Sequence, residues 1–367
     1  MRLKRTVVTF TLVPALLLAS APSSGASIPE TVEAMSLKEK VGQLIMFSVQ
    51  GTRLTSGERE LIRRHRLGGV ILFARNYRDR SQLSGLTAQI QRTVRSANDL
   101  SLGALISVDQ EGGVVKRFED MPPRYSAPQM GELNDTSLTF GQGRATGRAL
   151  KKAGVNIDLA PVADLDLPPE HVMRSRSFGS KPWRAGRHVR AFARGLQARR
   201  VAAAAKHFPG LGGASVNSDY GRAYVRRTRQ QLRDVDGVPF RRAIAGGIRM
   251  VMLSHAIYTK YKNQRPASIN RDILRRLRRQ FDFKGVAISD ALEPVSWWFE
   301  GDVARTCEAT IKAGVDIALL AGNVQAARSC AGKIKEAVRS GSIRKKRLDK
   351  AVTRVLRLKR WLGVFEG

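Results

Sequence analysis

Gly285-Val286-Ala287-Ile288-Ser289-Asp290 is a short apolar run that stops on a carboxylate. Val201-Ala202-Ala203-Ala204-Ala205-Lys206-His207 repeats the pattern and stops on two polar side chains. Neither run alternates apolar with polar, so each reads as a strand buried on both faces, as in a parallel sheet covered by helices. Six further runs match them: Val41–Val49, Gly69–Phe73, Ala104–Val108, Val155–Ala160, Met250–Ser254 and Val315–Leu320. Between them lie segments with apolar residues at three- and four-residue spacing and Arg or Lys opposite, as in Gln82–Ala97, Leu138–Ala153, Trp183–Arg199, Thr228–Ala245 and Val303–Ala313. That spacing predicts amphipathic helices. A last helix is expected over Ile343–Leu362. Eight strand–helix repeats with no linker predict an α/β fold, a TIM-like (β/α)8 barrel, in a single domain over residues 30–367.

A closed barrel concentrates its chemistry just past the strand ends. Here strand three ends in Asp109, strand five in Lys206 and His207, strand six in His255 and strand seven in Asp290. Such residues are poor core material, so burial alone does not explain them. Asp109-Gln110-Glu111-Gly112-Gly113, followed by Arg117, sets two carboxylates before a tight glycine turn. A carboxylate there can accept sugar hydroxyls, and a capped turn is the plainer alternative.

The first residues predict export. Arg2, Lys4 and Arg5 precede an apolar run from Thr6 to Ala19 and a small-residue stretch, Ser20 to Ser27. That is the layout of a signal peptide, expected over residues 1–26. The run falls short of the roughly 20 residues a membrane span needs. A secreted or envelope-associated protein follows. Cys307 and Cys330 are the two cysteines, and either a disulfide or two buried thiols fits them. With no His beside them they make no zinc site, and no metal is expected. The net charge is +33, or +30 once the three leader cations are removed. The Arg residues are spread along 226–242 and 271–279 rather than interleaved with aromatics, so nucleic acid is not expected as a partner. An anionic cell wall or membrane surface suits the charge better, and so does a solvated surface with no partner. A monomer is expected.

In register along the chain stand Leu67-Gly68-Gly69-Val70-Ile71-Leu72-Phe73, Asp109-Gln110-Glu111-Gly112-Gly113, Ala160-Pro161-Val162-Ala163-Asp164, Arg176-Ser177-Phe178-Gly179, Lys206-His207-Phe208-Pro209-Gly210, Pro266-Ala267-Ser268 and Ser289-Asp290. Together they resemble glycoside hydrolase family 3, in its branch of single-domain bacterial β-N-acetylglucosaminidases (β-N-acetylhexosaminidases) that recycle peptidoglycan sugars. The resemblance covers Met35 to about Leu362. It implies a carbohydrate substrate, no organic cofactor, and hydrolysis with retention through a glycosyl-enzyme. It places Asp290 as the nucleophile and Asp109, Arg117, Arg176, Lys206 and His207 around the sugar. It leaves Glu111 and Asp164 as supports, the first bracing its turn and the second orienting Lys206 or Arg176.

One motif departs from the branch. The resemblance calls for an Asp-Ser-His triplet after the Lys-His-Phe-Pro-Gly segment, with its His as general acid/base. This chain has Asn217-Ser218-Asp219 there, and no histidine between His207 and His255. Asp219 then becomes the candidate acid/base. The alternatives are a weakened protein that binds glycan without cutting it well, and a hydrolase of plain β-glucosides.

Overall fold

The structure, a computed structural model, describes residues 26–366, so the expected leader lies outside the described residues apart from Ala26. The eight barrel strands are β1 (Ile45–Ser48), β2 (Gly69–Leu72), β3 (Leu105–Val108), β4 (Ile157–Asp158), β5 (Ala202–Phe208), β6 (Met250–Leu253), β7 (Val286–Ala291) and β8 (Ile317–Leu320). Each pairs with its sequence neighbours in parallel, and β1 closes on β8 with Ile45 opposite Ala318. The outer ring is α1 (Ser56–His65), α2 (Arg80–Arg95), α3 (Thr136–Lys152), α4 (Pro182–Gln197), α5 (Gly237–Ala245), α6 (Arg271–Arg279), α7 (Val303–Ala313) and α8 (Val324–Arg339). The eightfold repeat read from the sequence is therefore present as a single closed barrel.

Local chemistry sets the helix starts. Thr55 caps α1, and Glu58 returns a carboxylate oxygen to the Thr55 N–H at 2.7 Å. Asp79, Asp135, Asp302 and Asn323 cap α2, α3, α7 and α8 through a side-chain oxygen that accepts a first-turn N–H. Helices α3 and α4 pack closely because Gly143 and Gly195 face each other's backbone, where a Cβ would collide with the Phe192 and Phe140 carbonyls.

Two expectations differ in detail. The run from Val41 begins as a helix, Leu37–Gly42, because Ser36 and Glu39 form a reciprocal cap, so the strand starts only at Ile45. The helix expected over Thr228–Ala245 runs unbroken from Arg229 to Ala245, but it widens into a π-helical stretch at Leu232–Asp236 before α5. Pro239 is the reason: it has no N–H to give, and its ring clashes with the carbonyl of Val235, so the turn before it opens.

The barrel interior is filled by Met46, Ile71, Leu105, Ile157, Met250, Val286 and Ile317. A final helix, α9 (Lys345–Leu362), turns Val355, Leu358 and Leu362 into the same cluster and closes the floor. Lys359 is buried there with its ammonium donating to Gln43 Oε1 at 2.6 Å. Cys307 on α7 and Cys330 on α8 are joined by a disulfide, which resolves the choice the sequence left open.

Candidate active site

The open end of the barrel holds a cleft of about 520 Å³. Asp109, Arg117, Arg176, Lys206, His207, Asp219 and Asp290 all line it, so the expected nucleophile, acid/base candidate and sugar-holding residues are brought together.

Asp109 follows β3 directly. The chain then folds into a small ribbon, Gln110–Gly112 against Val115–Lys116. Gly112 and Gly113 take φ of +94° and +63°, the left-handed region where a side chain would be strained. The buried Gln110 side chain pins this loop, accepting from the Phe118 N–H at 3.0 Å and donating to the Phe118 and Pro122 carbonyls. Lys206, near the end of β5 and only 2% exposed, reaches across to Asp109 Oδ1 at 2.6 Å and Glu111 Oε1 at 2.7 Å. Arg176 grips Glu111 with two bonds, Nε to Oε2 at 2.9 Å and a terminal nitrogen to Oε1 at 2.7 Å. Burial pushes the Glu111 carboxyl up, yet Lys206 and Arg176 outweigh it and hold it near a pKa of about 2. The same carboxylates keep Lys206 and Arg176 protonated despite burial. Arg117 stands farther off, 3.9 Å from Asp109 Oδ2, with its guanidinium over the Phe73 ring.

A second line of contacts leads to Asp290 at the tip of β7. Asp164 Oδ2 accepts from both the backbone N–H and Nδ1 of His207, at 3.0 and 2.6 Å, and Oδ1 accepts from the Leu211 N–H at 2.7 Å. With Nδ1 committed, Nε2 of His207 faces Asp290 Oδ2 at 3.7 Å. Asp290 Oδ1 accepts from the Ala291 N–H at 2.8 Å. The buried His255 braces the next peptide, donating from Nε2 to the Ala291 carbonyl at 2.6 Å while its Nδ1 is hydrogen-bonded to Ser268 Oγ at 2.8 Å. Burial raises the Asp290 carboxyl, but His207, His255, Lys206 and the Ala291 N–H outweigh it, so it is held below the ordinary carboxylate value.

Asp219 sits on the loop after β5. Asn217 Oδ1 accepts from its N–H at 3.1 Å and forms a local turn. Its carboxyl is pushed upward, by burial against the cleft wall first and by the charge of Asp290 second; His207, Arg176 and His255 oppose this. Water still reaches the residue at the cleft mouth, which moderates the effect. The arginines nearest in sequence are engaged elsewhere. Arg227 pairs with Asp236 at 2.6 Å, and Arg222 lies over the Trp297 ring at 4.5 Å.

Residues 36–358 match the glycosyl hydrolase family 3 N-terminal domain. The chain belongs to glycoside hydrolase family 3. Within this family it is 36% identical over 286 residues to a β-hexosaminidase of Tolumonas auensis, covering 76% of this chain and 83% of that one. A family 3 β-N-acetylglucosaminidase from Paenibacillus sp. superposes with a TM-score of 0.85 at 31% identity, covering 90% of this chain; this chain spans 63% of that longer one. A β-N-acetylhexosaminidase from Beutenbergia cavernae superposes with a TM-score of 0.81 at 27% identity, covering 89% of this chain and 99% of that one. The chain is thus a glycoside hydrolase of this family, acting on O-glycosyl bonds.

Two supporting roles differ from the sequence reading. Asp164 orients His207 rather than Lys206 or Arg176, because both of those are already held by Glu111. Glu111 does more than brace a turn, since it is the shared anion beneath two cleft cations. Asp158 was not singled out from the sequence at all. It lies on β4, fully buried, accepts from the Gln110 N–H at 3.0 Å, and leaves Oδ2 without a partner. Burial raises it to a pKa of about 8, so it stays neutral at pH 7. A lone acidic residue inside an apolar strand, at Ile157-Asp158-Leu159, was the available signal. Among the described residues no group of three or more His, Cys, Asp or Glu is arranged to hold a metal ion.

Proposed function

We propose that this chain is an exported retaining β-N-acetylhexosaminidase that removes terminal β-linked N-acetylglucosamine from peptidoglycan-derived or related glycans. The observation that carries the mechanism is the pair of carboxylates, Asp290 and Asp219, which share one cleft and are displaced in opposite directions. A nucleophile must be ionised and an acid protonated at the same pH, and displacement in opposite directions favours that division of roles. The names of the matched relatives support the N-acetyl sugar. The leader pattern and the disulfide suit an oxidising compartment outside the cytoplasm.

In this reading Asp109, Lys206, Arg176, Arg117 and His207 hold the sugar against the cleft floor. Lys206 and Arg176 remain charged, so their N–H groups strengthen toward hydroxyls that gain negative character as the ring becomes oxocarbenium-like. Asp290 attacks the anomeric carbon while Asp219 gives its proton to the departing oxygen. The covalent ester then removes the Asp290 charge, and with it the repulsion that raised Asp219. Asp219 becomes a stronger acid, and its carboxylate is ready to take a proton from the incoming water.

A second reading is favoured by the exposure of Asp219 and by the cations that oppose its protonation. Under it the chain binds glycan and cuts natural glycosides poorly. One experiment separates the two. An activated aryl β-N-acetylglucosaminide and an unactivated disaccharide are assayed with wild type, Asp290→Ala and Asp219→Asn. Asp290→Ala is expected to abolish glycosyl-enzyme formation. Asp219→Asn is expected to slow the disaccharide by about 10²–10⁴-fold and to affect attack on the activated substrate little. Equal loss on both substrates, or loss on neither, rejects Asp219 as the acid/base. A wild type that binds the disaccharide without turnover establishes the second reading. A preference for a plain β-glucoside rejects the N-acetyl sugar.

A further inference from the structure

The outer flank of the barrel, away from the cleft, carries a second cavity of about 760 Å³ between α6, the helical segment Arg229–Gln231 and the loop after β6. It shares no lining residue with the cleft. Arg276 lies in its wall, only 6% exposed. One terminal nitrogen of Arg276 donates to Tyr261 Oη at 2.5 Å, while Nε and the other terminal nitrogen have no partner. No carboxylate of the described residues forms an ion pair with it.

The contrast with its neighbour on the same helix is informative. Arg278 is also held largely away from water, and there the chain supplies Asp316 at 2.5 Å. Around Arg276 it supplies more cations instead. Arg229, Lys262 and Arg279 line the cavity without a carboxylate partner among the described residues. The two acids nearby are engaged: Asp272 accepts from Arg275 and Asn263, each at 3.1 Å, and Asp234 pairs with Arg233 at 2.7 Å. A buried guanidinium without a counter-charge is expensive. Three more like charges around it add repulsion rather than relief. Within the chain the guanidinium meets the Phe281 ring, 5.6 Å from its centre, and the shared charge of Asp234, so an anion from outside would stabilise it further.

The shape of the deficit points to the ligand. Arg229, Arg233, Lys262, Arg275, Arg276 and Arg279 line this cavity against a single lining carboxylate, Asp272, an excess larger than one monovalent carboxylate would neutralise. Phosphate oxygens accept the planar, forked donors of arginine particularly well and carry a higher charge in a small volume. We propose that this flank cavity binds a ligand carrying two or more closely spaced phosphates. The phosphates can belong to a free oligophosphate or to the headgroups of an anionic lipid surface. Because the cavity and the cleft are separate, such a ligand can be held while a glycan occupies the cleft.

The test titrates the full chain with tripolyphosphate and with orthophosphate at matched ionic strength, by calorimetry. Saturable binding of tripolyphosphate is expected, about tenfold or more tighter than orthophosphate. Lys262→Gln/Arg279→Gln, which alters only exposed side chains, is expected to weaken it about tenfold or more. Arg276→Met should do the same and should not lower the Tm, since it removes an unpaired buried charge. Arg63→Gln/Arg64→Gln on α1 removes the same charge elsewhere and should leave binding intact. Hydrolysis of an activated aryl glycoside should be unchanged in all three. In a parallel arm, phosphatidylglycerol vesicles that capture the protein and release it to tripolyphosphate identify the lipid as a source of the same phosphate chemistry. Equal binding of tripolyphosphate and orthophosphate, equal loss in the α1 control, or vesicle capture that tripolyphosphate does not displace would each overturn the proposal.

Discussion

Asp164 meets three N–H groups at once, two from His207 and one from Leu211, and so sets both the ring and the backbone beside Asp290. Asp164→Asn keeps the volume but places an NH₂ group against donors. Its kcat/KM is expected to fall about 10–100-fold, as for loss of a group that orients a reactive side chain. Thermal unfolding should show a loss of roughly 1–3 kcal/mol from the unpaired buried groups. The carboxylate pair gives a pH prediction with a definite sign. Under the proposed mechanism Asp219 is protonated when it acts on the leaving group, so kcat/KM is expected to fall as pH rises through its elevated pKa. Asp219→Asn has no titrating group at that position, and its pH profile should lack this basic limb. Lys206, His207 and Asp290 were legible in the sequence because polar side chains at the ends of apolar runs have few structural excuses, whereas Asp219 was singled out only through the family resemblance. Their partnerships were not legible. Which cation Glu111 holds, or which ring Asp164 orients, depends on how loops after different strands converge, and spacing along one strand does not carry that.

At the scale of elements, the loop bearing Asp219 is tied to the segment after β7 by Arg222, whose guanidinium lies 4.5 Å from the centre of the Trp297 ring. Arg222→Ala removes this tie without touching either carboxylate. The expected result is a lower kcat with a smaller change in KM, and greater protease sensitivity of the loop, since a looser acid is misplaced more than a looser ligand. The disulfide joins neighbouring helices α7 and α8 across a sequence separation of 23 residues. Cys307→Ala/Cys330→Ala is expected to lose about 3 kcal/mol, read by urea unfolding. Elements were mostly legible from periodicity. The exceptions were the reciprocal cap at Ser36 and Glu39 and the widening before Pro239, where one or two residues override a longer apolar pattern.

For the molecule as a whole, Lys359 makes stability depend on pH. Burial, aided by the nearby charge of Arg95, lowers its pKa from 10.5 to about 7. Below pH 7 both folded and unfolded chains hold the proton, and the folded one bears the full cost of a buried charge. Between about pH 7 and 10.5 the unfolded chain alone retains it, so this cost fades and stability rises with pH. The contribution is on the order of 5 kcal/mol. Lys359→Met should flatten the dependence and raise the Tm near pH 6, as checked by thermal melts across that range. The same helix has a consequence in time. The lining of the barrel floor is finished only by Val355, Leu358 and Leu362, and Val364 is tied to Gly103 by a 2.7 Å bond from the Gly103 N–H. A ribosome has therefore exposed all eight strands before the piece that shuts them in has emerged. A free chain truncated after residue 340 should remain open to proteases and chaperones, and the chain carrying the following residues should be resistant. Synthesis itself would hold this barrel unfinished until its plug is delivered.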